Sequence, residues 1–292
     1  MLHEFTVHIP YKKAEEMVEN LNLVGLYNTY YEAPIEVETT SNGYDYEEKE
    51  DETIPFQVYI GEEEIDVKAV LHEQFSFPEE EIHYRFLTEE DLLGQAPSFE
   101  DIDLENGWVI AFPDFKTSYE GKRRLLLDPQ GGFGTGLHGT TQDCVRFIVS
   151  QNLNGQSVLD LGTGSGILSI AASLVGARMV EAVDIEPVER EVLYNAGLNE
   201  VSNITVHQLD IMHTEGVITA QYDWIFVNIG GDEAVTIINA QQLLSKTSHI
   251  LISGMVDWNT LVVEELLHDH GFQPIHRVQT EEWVTMAFQK MK

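Results

Sequence analysis

The sequence has little cysteine, little positive charge and no long apolar run, and each shortage excludes something. Its lone cysteine, Cys144, cannot close an internal disulfide and supplies no cysteine-based zinc site. The opening Met1-Leu2-His3-Glu4 lacks the basic and apolar regions of a secretory signal. The longest nearly continuous apolar stretch, residues 167–177, falls far short of the roughly 20 residues a membrane-spanning helix needs. A reducing, cytoplasmic setting without membrane contact is expected. Lys and Arg number 16 against 50 Asp and Glu, for a formal net charge of -34. A surface this acidic repels phosphate backbones, which excludes direct nucleic-acid binding and favours cationic partners such as basic protein segments. Service to solubility alone is the competing reading of the same charge.

At 292 residues and 43% apolar content, the chain predicts a well-packed globular protein of two domains. Most of the acidic surplus lies in residues 1–120. Residues 1–90 predict a small α+β domain, with strands over 5–9, 54–59 and 65–70 and a helix over 12–22. Asn42-Gly43 and the charged run 47–52 read as solvated loop, and Glu79-Glu80-Glu81 as a helix or turn after Pro78. Residues 91–120 read as a polar linker that orders only on a neighbouring surface. Residues 121–292 form the second domain, in which strand and helix patterns alternate from about residue 140. Strands are expected over 157–161, 179–185, 204–207, 224–227 and 249–253, with a closing pair over 274–278 and 283–289. That pattern predicts an α/β, doubly wound, Rossmann-like sheet.

The chemistry is concentrated where the first of those strands ends. In Val158-Leu159-Asp160-Leu161-Gly162-Thr163-Gly164-Ser165-Gly166 the glycines permit a tight turn and let a ligand lie against bare backbone at the carboxyl edge of the sheet. Asp184 ends the next strand, where a carboxylate can accept both hydroxyls of a ribose. The spacing is G-x-G-x-G, whereas dinucleotide enzymes favour G-x-G-x-x-G with a helix N-terminus aimed at a pyrophosphate. Asp160 also stands two positions before the first glycine. A carboxylate there opposes a pyrophosphate and suits the ammonium of a methionine moiety. S-adenosyl-L-methionine is therefore the expected cofactor, with Asp160, Gly162, Gly164 and Asp184 around it, ahead of a nicotinamide.

Upstream, Phe133-Gly134-Thr135-Gly136-Leu137-His138-Gly139-Thr140-Thr141 has two readings. It serves as a hinge-rich lid with Gly131 and Gly132, in which His138 and Thr141 hydrogen-bond the cofactor, or as a helix start capped by Thr140 or Thr141. Asn228 ends a later strand; it either orients an acceptor nitrogen or caps the helix that begins near Asp232. His207, His213, His268 and His270 lack metal-ligand spacing, so no metal site is expected. Trp224 and Trp258 are expected to pack in the core or along the cleft.

Together with Leu127-Asp128-Pro129, Val183-Asp184-Ile185-Glu186-Pro187 and the closing Glu282-Trp283, these strings fall in the order found in a known family. Residues 121–292 resemble the ribosomal protein L11 methyltransferases, and the string from Phe133 to Thr141 is the most specific part of the resemblance. The resemblance implies a class I methyltransferase fold with a smaller N-terminal α+β domain for substrate recognition. It further implies cofactor contacts at Thr141, Gly162, Asp184 and Asn228, and methyl transfer to an amine, a Lys side chain or an N-terminus, of a basic ribosomal protein. Asn228 is the residue expected to orient that amine. This chain departs from the family pattern after Asn228, with Gly230-Gly231-Asp232-Glu233 where relatives carry a larger residue and an Ala-containing segment. The alternatives are a paralogue acting on another protein or a small molecule, and a non-catalytic cofactor-binding protein.

Overall fold

The computed structural model describes residues 2–40, 43–61, 65–88, 100–113, 119–129 and 134–291. The chain divides into two compact units, one within Met1–Thr40 and Tyr44–Pro97, the other within Ser98–Lys292.

The first unit is built on strands β1 (Leu2–Pro10), β2 (Asn28–Tyr30), β5 (Thr53–Ile60) and β6 (His83–Leu87), all antiparallel in the order β2-β5-β1-β6. Two further strands, β3 (Ile35–Thr40) and β4 (Gly43–Glu48), pair with each other. Alternation puts Val7, Ile9, Ile54, Phe56, Val58 and Ile60 on one face of the sheet. There they meet Ala14, Met17 and Leu21 of helix α1 (Ala14–Leu23) and Val67 and Leu71 of helix α2 (Val67–Phe75). The strand expected over 65–70 is instead the start of α2. Asp66 caps that helix by accepting the Ala69 N–H at 3.1 Å, and the buried Val67 and Leu71 stand four apart. Glu79–Glu81 form a single 3-10 turn.

The second unit opens with a small sheet of β7 (Ile102–Asp103), β8 (Trp108–Ala111) and β9 (Arg123–Leu126). The segment expected as a linker thus carries two strands. Trp108, Ile110 and Phe112 are buried in the same core as Val145 and Ile170, so hydrophobic burial orders it. Helix α3 (Gly139–Ser150) then leads into a seven-stranded sheet of β10 (Ser157–Leu161), β11 (Met179–Asp184), β12 (Ile204–Gln208), β13 (Tyr222–Asn228), β14 (Thr247–Val256), β15 (Phe272–Thr280) and β16 (Trp283–Lys290). Between these strands run α4 (Ile167–Leu174), α5 (Glu189–Leu198), α6 (Gly231–Ala240) and α7 (Thr260–Asp269).

The strand order is β12-β11-β10-β13-β14-β16-β15, parallel through the first five, with β16 antiparallel to both of its neighbours. Val158, Trp224, Phe226 and Leu251 face the core under α3, α4 and α5, while Leu159, Ile225, Val227 and Ile250 face α6 and α7. Both faces are covered, so these strands read as nearly unbroken apolar runs. The chain winds one way from β10 to β11 and returns on the other side at β13, which opens a crevice at the carboxyl ends of β10 and β13. Among the described residues no helix is long and apolar enough to cross a membrane.

Two asparagines, Asn195 in α5 and Asn199 at its C-cap, fasten this architecture near the crevice. Buried Asn195 donates to the Ser165 carbonyl at 3.2 Å and accepts the Asp128 N–H at 2.9 Å. Asn199 accepts from the Leu126 N–H at 2.8 Å and donates to its carbonyl at 2.6 Å. Asn195→Ala leaves the buried Ser165 carbonyl and the half-buried Asp128 N–H without partners and is expected to lower the stability of this unit by about 2–3 kcal/mol. All four tryptophans lie in this unit, so urea unfolding followed by tryptophan fluorescence reports it. An unchanged midpoint would show that Asn195 fastens nothing.

Candidate functional site

The glycine loop after β10 is held by backbone and carboxylate together. Both Gly162 and Thr163 donate their N–H to the Val183 carbonyl, at 2.9 and 3.1 Å. Gly162 has a φ of 69°, and a Cβ there would lie 2.3 Å from the Cγ2 of Ile229. Only glycine lets the turn after β10 meet the turn after β13 this closely. Asp184 spans the loop and its own turn, accepting from the Gly164 N–H at 2.8 Å and the Glu186 N–H at 3.0 Å. Each of its oxygens keeps accepting capacity beyond those bonds. Beside it, Ile185 is half exposed, a flat apolar surface next to an acceptor pair.

Asp160 is fully buried. Its Oδ2 accepts from the hydroxyls of Thr163 at 2.7 Å and Ser169 at 2.6 Å, while Oδ1 has no hydrogen-bond partner among the described residues. Burial pushes its carboxyl above the usual range, hydrogen bonds from Ser169 and Thr163 pull the other way, and the charge of Asp184 adds to the rise. A buried carboxylate oxygen lacking a donor, beside a loop that admits no side chain at Gly162, is the chemistry an ammonium-bearing nucleoside ligand satisfies. The residues present therefore fit S-adenosylmethionine.

On the other wall, Asn228 directs its side-chain amide at the Thr141 hydroxyl, at 3.5 Å, the outer limit of a hydrogen bond. Thr141 is buried in the first turn of α3, and Asn228 is half-buried. The reading of Asn228 as a helix cap does not hold, because Gly230 stands at the N-cap of α6. His138 caps α3, not Thr140 or Thr141: its ring lies 3.4 Å from the Thr140 N–H and 2.8 Å from the Thr140 hydroxyl, edge-on to Trp283. The string is tied to the glycine loop as well, since the Ser165 hydroxyl donates to the Gly134 carbonyl at 2.6 Å. Gly131, Gly132 and Phe133 of the expected lid lie outside the described residues.

The structure thus brings Asp160, Gly162, Gly164, Asp184, Thr141 and Asn228 to one crevice, and His138 caps the helix that carries Thr141. Sequence reasoning missed Thr163, Ser169 and Asn195. Small hydroxyls three and nine residues past a strand-end Asp, one in the glycine turn and one in a mostly apolar helix, are a readable sign of a buried carboxylate; Asn195 left no such sign. Trp224 is buried against Phe147 and His249, as expected of a packing residue, whereas Trp258 is exposed. Cys144 is buried, which pushes its thiol up to about 12 and leaves it inert. Among the described residues no cluster of His, Cys, Asp and Glu is arranged to hold a metal.

A parallel five-strand core closed by an antiparallel hairpin, with a glycine loop after its first strand and an acid ending its second, defines a class I S-adenosylmethionine-dependent methyltransferase fold. The chain belongs to the ribosomal protein L11 methyltransferase (PrmA) family, whose model matches residues 2–291. It is 30% identical over 244 residues to a ribosomal protein L11 methyltransferase of Syntrophomonas wolfei, covering 83% of this chain and 72% of that one. To the enzyme of that name from Bacillus pumilus it is 34% identical over 169 residues, which is 57% of this chain and only 53% of the relative. The crystal structure of a ribosomal protein L11 methylase from Lactobacillus delbrueckii subsp. bulgaricus superposes with a TM-score of 0.58 at 27% identity, covering 66% of this chain and all of that one.

The strained Asp160 gives a pH-dependent expectation. A group whose pKa is higher folded than unfolded stabilises fully below its unfolded value, and that contribution is lost as pH rises through the folded value. Asp160→Asn has no proton to lose and keeps an acceptor for both hydroxyls. The stability of the variant minus that of the wild type is therefore expected to grow as pH is raised from about 4 to about 7. Urea titrations across that interval measure the difference, and a flat profile would contradict an ionising, desolvated carboxylate.

Proposed function

We propose that this protein transfers methyl groups from S-adenosylmethionine to amines of a basic protein, ribosomal protein L11. The observation that carries the proposal is the pairing of Asn228 with Thr141 across the crevice from Asp160, whose Oδ1 has no hydrogen-bond partner among the described residues. The names of the relatives support the identity of the acceptor. In this reading Asp160 meets the cofactor's ammonium and Asp184 its ribose hydroxyls. Gly162, Gly164 and Thr141 shape the wall, and His138 holds the start of α3. The bound cofactor supplies a methyl on a sulfonium, open to in-line displacement.

The chain's own residues supply position and protonation state. With Nδ2 of Asn228 turned to Thr141, its Oδ1 is left to accept a hydrogen from the incoming amine. A neutral amide suits that task better than a carboxylate. A carboxylate would raise the pKa of the amine and hold it in the ammonium form, which has no lone pair to attack with. Partial burial pushes the amine the other way, toward its free base. The strongly acidic exterior steers a cationic protein toward the molecule and leaves deprotonation to the crevice. Residues 1–90 would serve as the recognition domain, joined through 91–120 to the transfer domain over 121–292, in the cytoplasm where ribosomal proteins are made.

Incubation of the pure protein with methyl-labelled S-adenosylmethionine and purified ribosomal protein L11 is expected to label the L11. Asn228→Ala is expected to lower kcat by about tenfold to a hundredfold, with cofactor affinity changed by no more than about threefold. Absence of label with the wild type would refute the proposal. An undiminished kcat in the variant would remove Asn228 from the reaction.

A further inference from the structure

The rim of the crevice carries an apolar surface that the fold does not use. Trp258 is 46% exposed, Leu261 66% and Val262 49%. Leu261 and Val262 lie in the first turn of α7 and Trp258 in the turn just before its N-cap, Asn259, while Val263 and Leu267 of the same helix fill the core. Packing therefore does not explain Trp258, Leu261 and Val262. Large apolar side chains grouped in this way on a surface mark a contact site.

The patch is close in the fold to Asn228. Asn228 pairs in register with Ser253 on β14, and the strand then bulges between Ile252 and Met255. Gly254, with a φ of 80°, brings β14 so near the turn after Asn228 that a Cβ on it would lie 2.9 Å from the Gly230 nitrogen. Four residues on comes Trp258, and Asn259 donates to the Asp232 carboxylate at 3.1 Å, joining the starts of α7 and α6. Asp257, Glu265 and Glu233 are exposed nearby, and from Asn228 to Lys246, and again from Lys246 to Arg277, there is no lysine or arginine.

We infer that Trp258, Leu261 and Val262 form a docking surface for the acceptor protein, gripping an apolar side chain of a segment whose flanking lysines or arginines face Asp257, Glu233 and Glu265. The inference rests on the proposed methylation of ribosomal protein L11 and adds where that protein is held. An aromatic and two aliphatics surrounded by acids match a basic segment with an apolar anchor, and a rim position leaves the amine free to reach Asn228.

The test uses the full chain with Leu261→Asp and, separately, Trp258→Ala, checked for folding by circular dichroism and for mass in solution by sedimentation. Titration of purified ribosomal protein L11 into each, alongside steady-state methylation, gives Kd, KM and kcat. The expected result is a rise of at least about tenfold in Kd and KM for L11, with kcat at saturation and S-adenosylmethionine affinity unchanged. Wild-type methylation with KM unaffected by both substitutions overturns the docking surface and leaves the proposed function standing. Failure of the wild type to bind or label L11 overturns both. A wild-type dimer that Leu261→Asp converts to monomers makes the patch a contact between copies and also overturns the inference.

Discussion

The larger unit depends on two backbone turns being brought into contact at the carboxyl edge of a parallel sheet. The turn after β10 and the turn after β13 meet at Gly162 and Ile229, with no room for a methyl group between them. Parallel strands place both turns on the same edge, and the reversal of winding at β10 puts them on opposite sides of one crevice. Asp160 and Asp184 stand on one wall, Asn228 on the other, with Thr141 delivered to Asn228 by α3. The functional groups are thus placed by rigid elements, and few of them depend on loop conformation.

Electrostatics divides the molecule into an exterior and an interior with different tasks. Outside, a net charge of -34 draws cations. Inside, the Asp160 carboxylate is buried among hydroxyls, with one oxygen that has no donor among the described residues. Such a group destabilises the ligand-free protein, and under the proposed function a bound ammonium would offset that cost. Across the crevice the polar group is a neutral amide, Asn228, turned to the Thr141 hydroxyl; under the proposed function a cation arriving by long-range attraction would meet no carboxylate there to hold its proton.

The core of the second unit was legible because parallel, doubly covered strands leave unbroken apolar runs, and Val158 to Gly166 joins such a run to a glycine turn and a helix. Asp160 and Asp184 were readable from their places at strand ends. The six residues from 65 to 70 were misread, since a window that short shows apolar content without its period and Asp66 alone announces a cap. The buried run from Trp108 to Phe112 was hidden by acidic neighbours. His138 takes the N-cap of α3 in place of Thr140 or Thr141, because which of several polar residues takes the N-cap depends on the angle at which the chain enters. Asn195 could not have been found: its partners Ser165 and Asp128 lie far off in sequence and only the fold brings them near.

The most direct test of the account is calorimetric titration of S-adenosylmethionine into the wild-type protein and into Asp184→Ala. The account predicts one-to-one binding by the wild type and a loss of at least about tenfold in affinity for the variant, since charge-assisted hydrogen bonds to a ribose are removed. No binding by the wild type, or equal affinity in the two proteins, would contradict the assignment of this crevice as the cofactor site.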